Sequence, residues 1–213
     1  MGAYIKIMEI NTIKKILDFI KKKENKVPSY IKLRKLNLMY DLENYPDDVQ
    51  FTHNDNLYLY EMPIKKLPNK FNVKGYLMVK DCKNLKELSG DLRVEGWADL
   101  AGLNITKLPD KIYVDDYLDL DSCEELIKLP SELYVGGSLN LSDCVKIKEL
   151  PDNLYVGGNF GIISTQIEDF PNNLYVRRDI GIRNTPLAKK YTDEEIRSNK
   201  NLNGGKFEGK IFR

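Results

Sequence analysis

Residues Leu133–Pro151 read LYVGGSLNLSDCVKIKELP, and Leu154–Pro171 read LYVGGNFGIISTQIEDFP. The head Leu-Tyr-Val-Gly-Gly returns after 21 residues. Self-similarity at a fixed period of this size marks a repeat array, in which each unit buries its apolar residues against its neighbours. Two short alternating segments stand out within the unit. Leu133 and Val135 flank Tyr134, and Leu139 and Leu141 flank Asn140. Alternation of period two places each apolar pair on one face of a strand. A unit therefore carries two short strands joined at Gly136-Gly137, and glycine there suits a tight turn with positive φ.

Outward from this unit, the second pair recurs as Leu36/Leu38, Leu57/Leu59, Leu77/Val79, Ala98/Leu100, Leu118/Leu120, Leu139/Leu141, Phe160/Ile162 and Ile180/Ile182. The steps are 21, 20, 21, 20, 21, 21 and 20 residues, which sets eight units in register. The valine of the first pair recurs at Val73, Val94, Val114, Val135, Val156 and Val176. After each second pair comes a position held by Met62, Cys82, Leu103, Cys123, Cys144, Thr165 or Thr185, then an apolar residue and a closing pair such as Leu150-Pro151. The extra residue of the longer units precedes Leu85, Leu126 and Ile147, so it belongs to a loop.

The ends differ from the array. Residues 9–24, EINTIKKILDFIKKKE, place Ile10, Ile13, Ile16, Leu17 and Ile20 at helical spacing, as a cap over the apolar end of the array would require. Thr192-Asp193-Glu194-Glu195 is a capping box that opens a short helix over 192–199. In the tail 201–213, NLNGGKFEGKIFR, the alternation of Phe207, Ile211 and Phe212 leaves two readings, a terminal strand or a mobile end. The expected organisation is an N-terminal capping helix in 1–30, a solenoid over 31–188 and a C-terminal cap and tail over 189–213. The expected fold is a mainly-β solenoid, poor in α/β character, of about eight repeats with helical caps.

The pattern L-x-L-x-x-[CTN]-x-(x)-[IL]-x-x-L-P resembles the leucine-rich repeat family over roughly residues 31–188. The period and the Leu-Pro ending are similar to its short bacterial type. Two features depart from it: Cys, Thr, Leu or Met stands where the family has Asn, and the head is Leu-Tyr-Val-Gly-Gly. Units of that kind resemble those of small bacterial and bacteriophage repeat proteins. The resemblance implies a curved array with the L-x-L strands on a concave sheet. It also implies a non-catalytic binding protein, an inhibitor or adaptor acting on a host defence or regulatory protein in the bacterial or infected cytoplasm.

The charge is nearly balanced, with a formal net charge of +1. Its distribution is uneven. Residues 111–170 hold 4 basic and 12 acidic side chains, whereas 171–213 hold 10 basic and 5 acidic. No apolar run reaches membrane-spanning length, and the first residues do not read as a secretory signal, so a cytoplasmic protein is expected. His53 is the only histidine, and no nucleotide-binding loop, metalloprotease motif or nucleophile elbow is present. No enzyme activity, metal or cofactor is therefore expected. Cys82, Cys123 and Cys144 share one repeat position with Met, Leu and Thr, which points to buried structural use. Tyr113, Tyr134, Tyr155 and Tyr175 recur in the first strand and are expected to stack as a ladder.

Function is sought where the repeat does not dictate the residue. The outward positions around L-x-L form three rows. The first runs Lys35, Asn56, Tyr76, Trp97, Tyr117, Ser138, Asn159, Asp179. The second runs Asn37, Tyr58, Met78, Asp99, Asp119, Asn140, Gly161, Gly181. The third runs Met39, Tyr60, Lys80, Ala101, Asp121, Ser142, Ile163, Arg183. Tyr58, Tyr60, Tyr76, Met78, Trp97 and Tyr117 cluster early, beside Asp99, Asp119 and Asp121. Tyr and Trp are enriched at binding hot spots, so these nine residues are the candidate partner-binding site. The alternatives are a sugar or nucleotide held by the same aromatic and acidic groups, or nucleic acid on Arg177, Arg178, Arg183, Lys189 and Lys190. Cross-strand stacking without any ligand remains open as well.

Overall fold

The structure is a computed structural model that describes residues 38–86, 88 and 90–213. Residues up to Tyr45 and residues Pro46–Arg213 form two compact units. The helix expected over 9–24, together with Lys35, Leu36 and Asn37, lies outside the described residues. In the first unit, residues 38–43 are helical, and the Asn44 amide closes the helix on the Tyr40 carbonyl at 3.0 Å.

This helix corrects the expected first repeat. Leu38 lies within it rather than ending a strand pair. Leu38, Met39 and Leu42 have helical spacing, and Lys32 stands where later units carry valine. An L-x-L pair alone is too little to specify a coil. Met39 accordingly belongs to this helix and not to the third outward row.

The second unit is a parallel β-solenoid with seven strand pairs, hence six full turns. One strand of each pair builds the first sheet: β1 (Gln50–His53), β3 (Lys70–Val73), β5 (Asp91–Val94), β7 (Lys111–Val114), β9 (Glu132–Val135), β11 (Tyr155–Val156) and β13 (Tyr175–Val176). The other strand builds the second sheet: β2 (Leu57–Tyr58), β4 (Leu77–Met78), β6 (Ala98–Asp99), β8 (Leu118–Asp119), β10 (Leu139–Asn140), β12 (Phe160–Gly161) and β14 (Ile180–Gly181). All neighbours pair in parallel and in register, for example Tyr134 with Tyr155 and Leu139 with Phe160. Ile112, Val114, Leu118, Leu120 and their equivalents in neighbouring coils are buried between the sheets. The core is thus a set of ladders running along the solenoid axis.

The turns follow a different logic from the one expected. Gly136, Gly137, Gly157 and Gly158 do not occupy the left-handed region. They let successive coils approach. A Cβ on Gly157 would sit 2.0 Å from the Gly136 carbonyl oxygen. Left-handed backbone occurs instead just after the second sheet, once per coil, at Glu61, Asp81, Gly102, Ser122, Asp143, Ser164 and Asn184. Acidic, Asn, Gly and Ser side chains stand there, with no β-branched residue among them. The extra residue of the longer coils closes a tight turn, with the amides of Leu85, Leu126 and Ile147 donating to the carbonyls of Cys82, Cys123 and Cys144.

Those cysteines are buried and free. Each thiol donates to a carbonyl of the preceding coil: Leu59 at 2.8 Å, Leu100 at 3.3 Å and Leu120 at 3.1 Å. Burial pushes each thiol up to about 12, so the reactive thiolate is suppressed. Thr165 and Thr185 take the same position and bond within their own coil, to Ile162 and Ile182.

The C-terminal residues close both sheets. The helix Asp193–Ser198 opens with the expected capping box, in which Thr192 and Glu195 exchange hydrogen bonds. A further short helix, Pro186–Lys190, precedes it. Ile196, Leu202 and Phe207 are buried. The Asn203 side chain bonds both the N–H and the C=O of Val176, at 2.8 and 2.7 Å, and so stands in for a further strand at the edge of the first sheet. The tail adds a real strand to the second sheet: β15 (Ile211–Phe212) pairs with β14. Arg213 bonds the Asp193 carboxylate at 2.6 Å and the carbonyls of Ala188 and Tyr191. The terminal strand, rather than a mobile end, is what forms.

Candidate functional site

The second sheet turns Tyr58, Met78, Asp99 and Asp119 outward in one row, because strand pairing places Tyr58 beside Met78, Met78 beside Asp99, and Asp99 beside Asp119. Their neighbours in sequence, Leu57, Leu77, Ala98 and Leu118, are buried. Tyr58 is 55% exposed, Tyr60 48% and Tyr76 41%, so the core does not claim these rings. Met78, Trp97 and Tyr117 are half-buried. Tyr76 stacks on Trp97 with ring centroids 5.0 Å apart and planes 21° apart. Tyr60 donates to Glu61 at 2.9 Å, and that bond raises its phenol above the usual range.

All nine candidate residues therefore lie on or at the rim of one face, but they divide into two groups. The aromatic group is Tyr58, Tyr60, Tyr76, Met78 and Trp97. In the acidic group each middle-row side chain also serves the backbone. Asp99 accepts the Ala101 amide at 3.1 Å, Asp119 the Asp121 amide at 3.0 Å and Asn140 the Ser142 amide at 3.0 Å. These are Asx turns that lead the chain out of the strand. Tyr117 belongs with this group, since burial and the adjacent Asp119 charge raise its phenol above the usual range. Asp121 accepts the Ser122 hydroxyl at 2.9 Å. The alternation that marked these residues as outward carried no sign of the caps. An Asx residue at the same place in three successive coils, just before the chain turns, was the available signal.

The first outward row holds a second regularity that sequence reading missed. Asn56 accepts the amide of Tyr76 in the next coil at 2.8 Å, Ser138 that of Asn159 at 2.9 Å, Asn159 that of Asp179 at 3.3 Å and Asp179 that of Lys210 at 2.9 Å. This is a polar ladder along the edge of the sheet. It is broken at three consecutive positions, where the row carries Tyr76, Trp97 and Tyr117, whose rings cannot accept a hydrogen bond in this way.

The first sheet shows the contrasting case. Tyr113, Tyr134, Tyr155 and Tyr175 form a continuous stack with centroids 4.5, 5.4 and 5.1 Å apart, and Arg93 lies 5.3 Å from the Tyr113 centroid. One residue type repeats at one position and satisfies itself. This is the structural ladder expected from the sequence.

Of the basic side chains considered for nucleic acid, Lys190 is held by Asp169 at 2.7 and 2.8 Å, with Tyr191 on the same carboxylate. That pair lowers the Asp169 carboxyl, with Lys190 the larger cause. An open cavity of about 350 Å³ adjoins the acidic rim and is lined by Lys80, Asp81, Lys83, Gly102, Asp121 and Glu124. Lys83 already spans it, bonding Asp81 at 2.8 Å and the Gly102 carbonyl at 2.6 Å. Among the described residues, no group of three or more His, Cys, Asp and Glu is placed to hold a metal ion, and no helix is long and apolar enough to cross a membrane.

No family model, curated protein or solved structure matches this chain. The class that the coordinates define is a parallel β-solenoid of regular 20–21-residue repeats.

Proposed function

We propose that this chain is a non-catalytic binding scaffold, built on the plan of the leucine-rich repeat family, that docks a partner protein on the outward face of its second sheet. Tyr58, Tyr60, Tyr76, Met78 and Trp97 supply the contact surface, and Asp99, Asp119, Asp121 and Tyr117 form its acidic flank. A bacterial or bacteriophage inhibitor or adaptor, acting in the cytoplasm on a host regulatory protein, is the role that such a scaffold fits.

One observation carries the reading. Three successive coils abandon a cross-coil hydrogen bond that other coils make and place a large aromatic ring there instead. The Tyr76–Trp97 stack offsets part of that loss, Tyr117 has no such stack among the described residues, and local rules are broken at functional sites. Tyr76 is exposed with Tyr58 and Tyr60 beside it, and Trp97 and Tyr117 are half-buried, unlike the fully buried leucines of the same strands, and exposed aromatic surface marks interfaces.

The test is capture of the partner from a lysate of the source organism by the wild-type chain and by Tyr58→Ala/Tyr76→Ala/Trp97→Ala. Hot-spot aromatics contribute about 2 kcal/mol or more each, so the triple variant should lose at least about a hundredfold in affinity. Its circular dichroism should not change. Undiminished capture by a folded triple variant refutes the assignment.

A further inference from the structure

The acidic flank carries charge that the fold does not need. Asp99, Asp119 and Asn140 occupy the same position in successive coils and make the same bond to a backbone amide two residues on. Asn140 makes it without charge. Asp99 and Asp119 are paired directly across neighbouring strands, where like charges repel and destabilise a sheet. Partial burial raises the Asp99 carboxyl above its usual range, the charges of Asp119 and Asp81 add to this, and the Ala101 amide and Lys80 oppose it. Asparagine at both positions would remove the repulsion and keep both caps.

The surroundings specify what such a pair suits. The backbone bond engages Oδ1 in each aspartate, and Asn140 Nδ2 donates to the same oxygen of Asp119 at 3.1 Å, which leaves Oδ2 of each to receive a ligand. One side of the Trp97 ring is covered by Tyr76. Among the described residues the aromatic stack ends at Trp97. A flat cation that stacks on an indole and donates two hydrogen bonds to carboxylates is a guanidinium; an ammonium has neither the plane nor the fork.

We propose that this face recognises an arginine of its partner, seated against Trp97 and hydrogen-bonded to the carboxylates of Asp99 and Asp119. The inference rests on the docking role argued above and names the chemistry of what docks. Lys80 and Asp121 stand in the third row on either side of Ala101, and the flank as a whole is acidic. An arginine within an extended basic segment is therefore the occupant.

The test uses the full chain and three libraries of capped heptapeptides, randomised except for a central arginine, lysine or citrulline. The immobilised wild type should retain the arginine library about tenfold or more over the citrulline library, because charge-assisted bonds are the stronger ones, and should also prefer it to lysine. Asp99→Asn/Asp119→Asn should abolish the preference, whereas Glu124→Gln/Glu125→Gln on the adjoining loop should keep it. The same Asp variant should melt at or above the wild type at pH 7. A carboxyl whose folded pKa is raised destabilises the fold once ionised; that penalty is absent below the ordinary carboxylate range and complete above the raised value. The gap in melting temperature should therefore close as the pH falls into the carboxylate range.

The absence of an arginine preference in the wild type, its survival in the Asp variant, or a lower melting temperature of that variant at pH 7 each overturns the proposal. Its failure is separable from that of the docking role. A lysate partner lost by the aromatic triple variant but held by the Asp variant overturns the arginine site alone. A partner held by both overturns both.

Discussion

Phe160→Ala should lower stability more than the loss of any exposed ring. Phe160 is 1% exposed and is the largest of the fully buried side chains among the described residues. It lies in β12, between Leu139 of β10 and Ile180 of β14. Phe→Ala in a core removes transfer free energy and leaves a cavity, together about 3–5 kcal/mol. A unit of this size loses roughly 2–4 °C per kcal/mol, so the melting temperature should fall by about 10 °C. In a solenoid each coil is supported by its neighbours, so amide exchange should accelerate first in the coils on either side of β12. Tyr155→Ala is the control. Its ring is stacked on both sides but is 36% exposed, and the loss should be only about 1 kcal/mol. Equal losses in the two variants would show that the interior of the solenoid is loosely packed.

The second large effect is at Gly157, where two opposing principles meet. Its backbone is not in the left-handed region. Alanine there would ordinarily stabilise by about 0.4–1 kcal/mol, by restricting the unfolded chain. The added Cβ, however, would lie 2.0 Å from the Gly136 carbonyl oxygen and 2.8 Å from its carbon. Backbone cannot step aside as a side-chain tip can, so the coils must separate. Overpacking of this kind costs about 1–3 kcal/mol, and the clash outweighs the entropic gain. Gly157→Ala should lower the melting temperature by several degrees. Arg177 holds the equivalent place in the next coil with a full side chain, and Arg177→Ala should change little. A neutral or stabilising Gly157→Ala would mean that the glycine pair is there for its turn conformation after all.

These two sites show what could be read in advance. The strand pairs from Leu57/Leu59 to Ile180/Ile182 stand where the alternation placed them, because period-two burial is a strong constraint and a slip of one residue would expose each leucine. Register, the tyrosine stack and the buried cysteines followed from the same alignment. The first repeat failed at Leu38, since an L-x-L pair is equally compatible with a helix and Lys32 stands where later units carry valine. The role of the Gly-Gly pair was misread because close approach between coils is a property of neighbours 21 residues apart, and a turn reading considers only neighbours in sequence. The side-chain strand surrogate of Asn203 and the Arg213 clamp depend on where the tail returns, which composition does not specify. At the candidate site, alternation identified which residues face outward. It could not divide aromatic residues that break a ladder from aspartates that also cap the backbone.

The central claim is that the second sheet's aromatic face is the docking surface, and the first sheet supplies an internal control. Tyr113, Tyr155 and Tyr175 are 46, 36 and 41% exposed, close to the 55, 48 and 41% of Tyr58, Tyr60 and Tyr76. Hydroxyl-radical footprinting of the chain, free and bound to its captured partner, would compare both sets in one sample. Docking on the second sheet predicts that Tyr58, Tyr60, Tyr76 and Trp97 lose most of their reactivity while Tyr113, Tyr155 and Tyr175 keep theirs. Protection of the Tyr113–Tyr175 ladder, with Tyr58, Tyr76 and Trp97 still reactive, would contradict it.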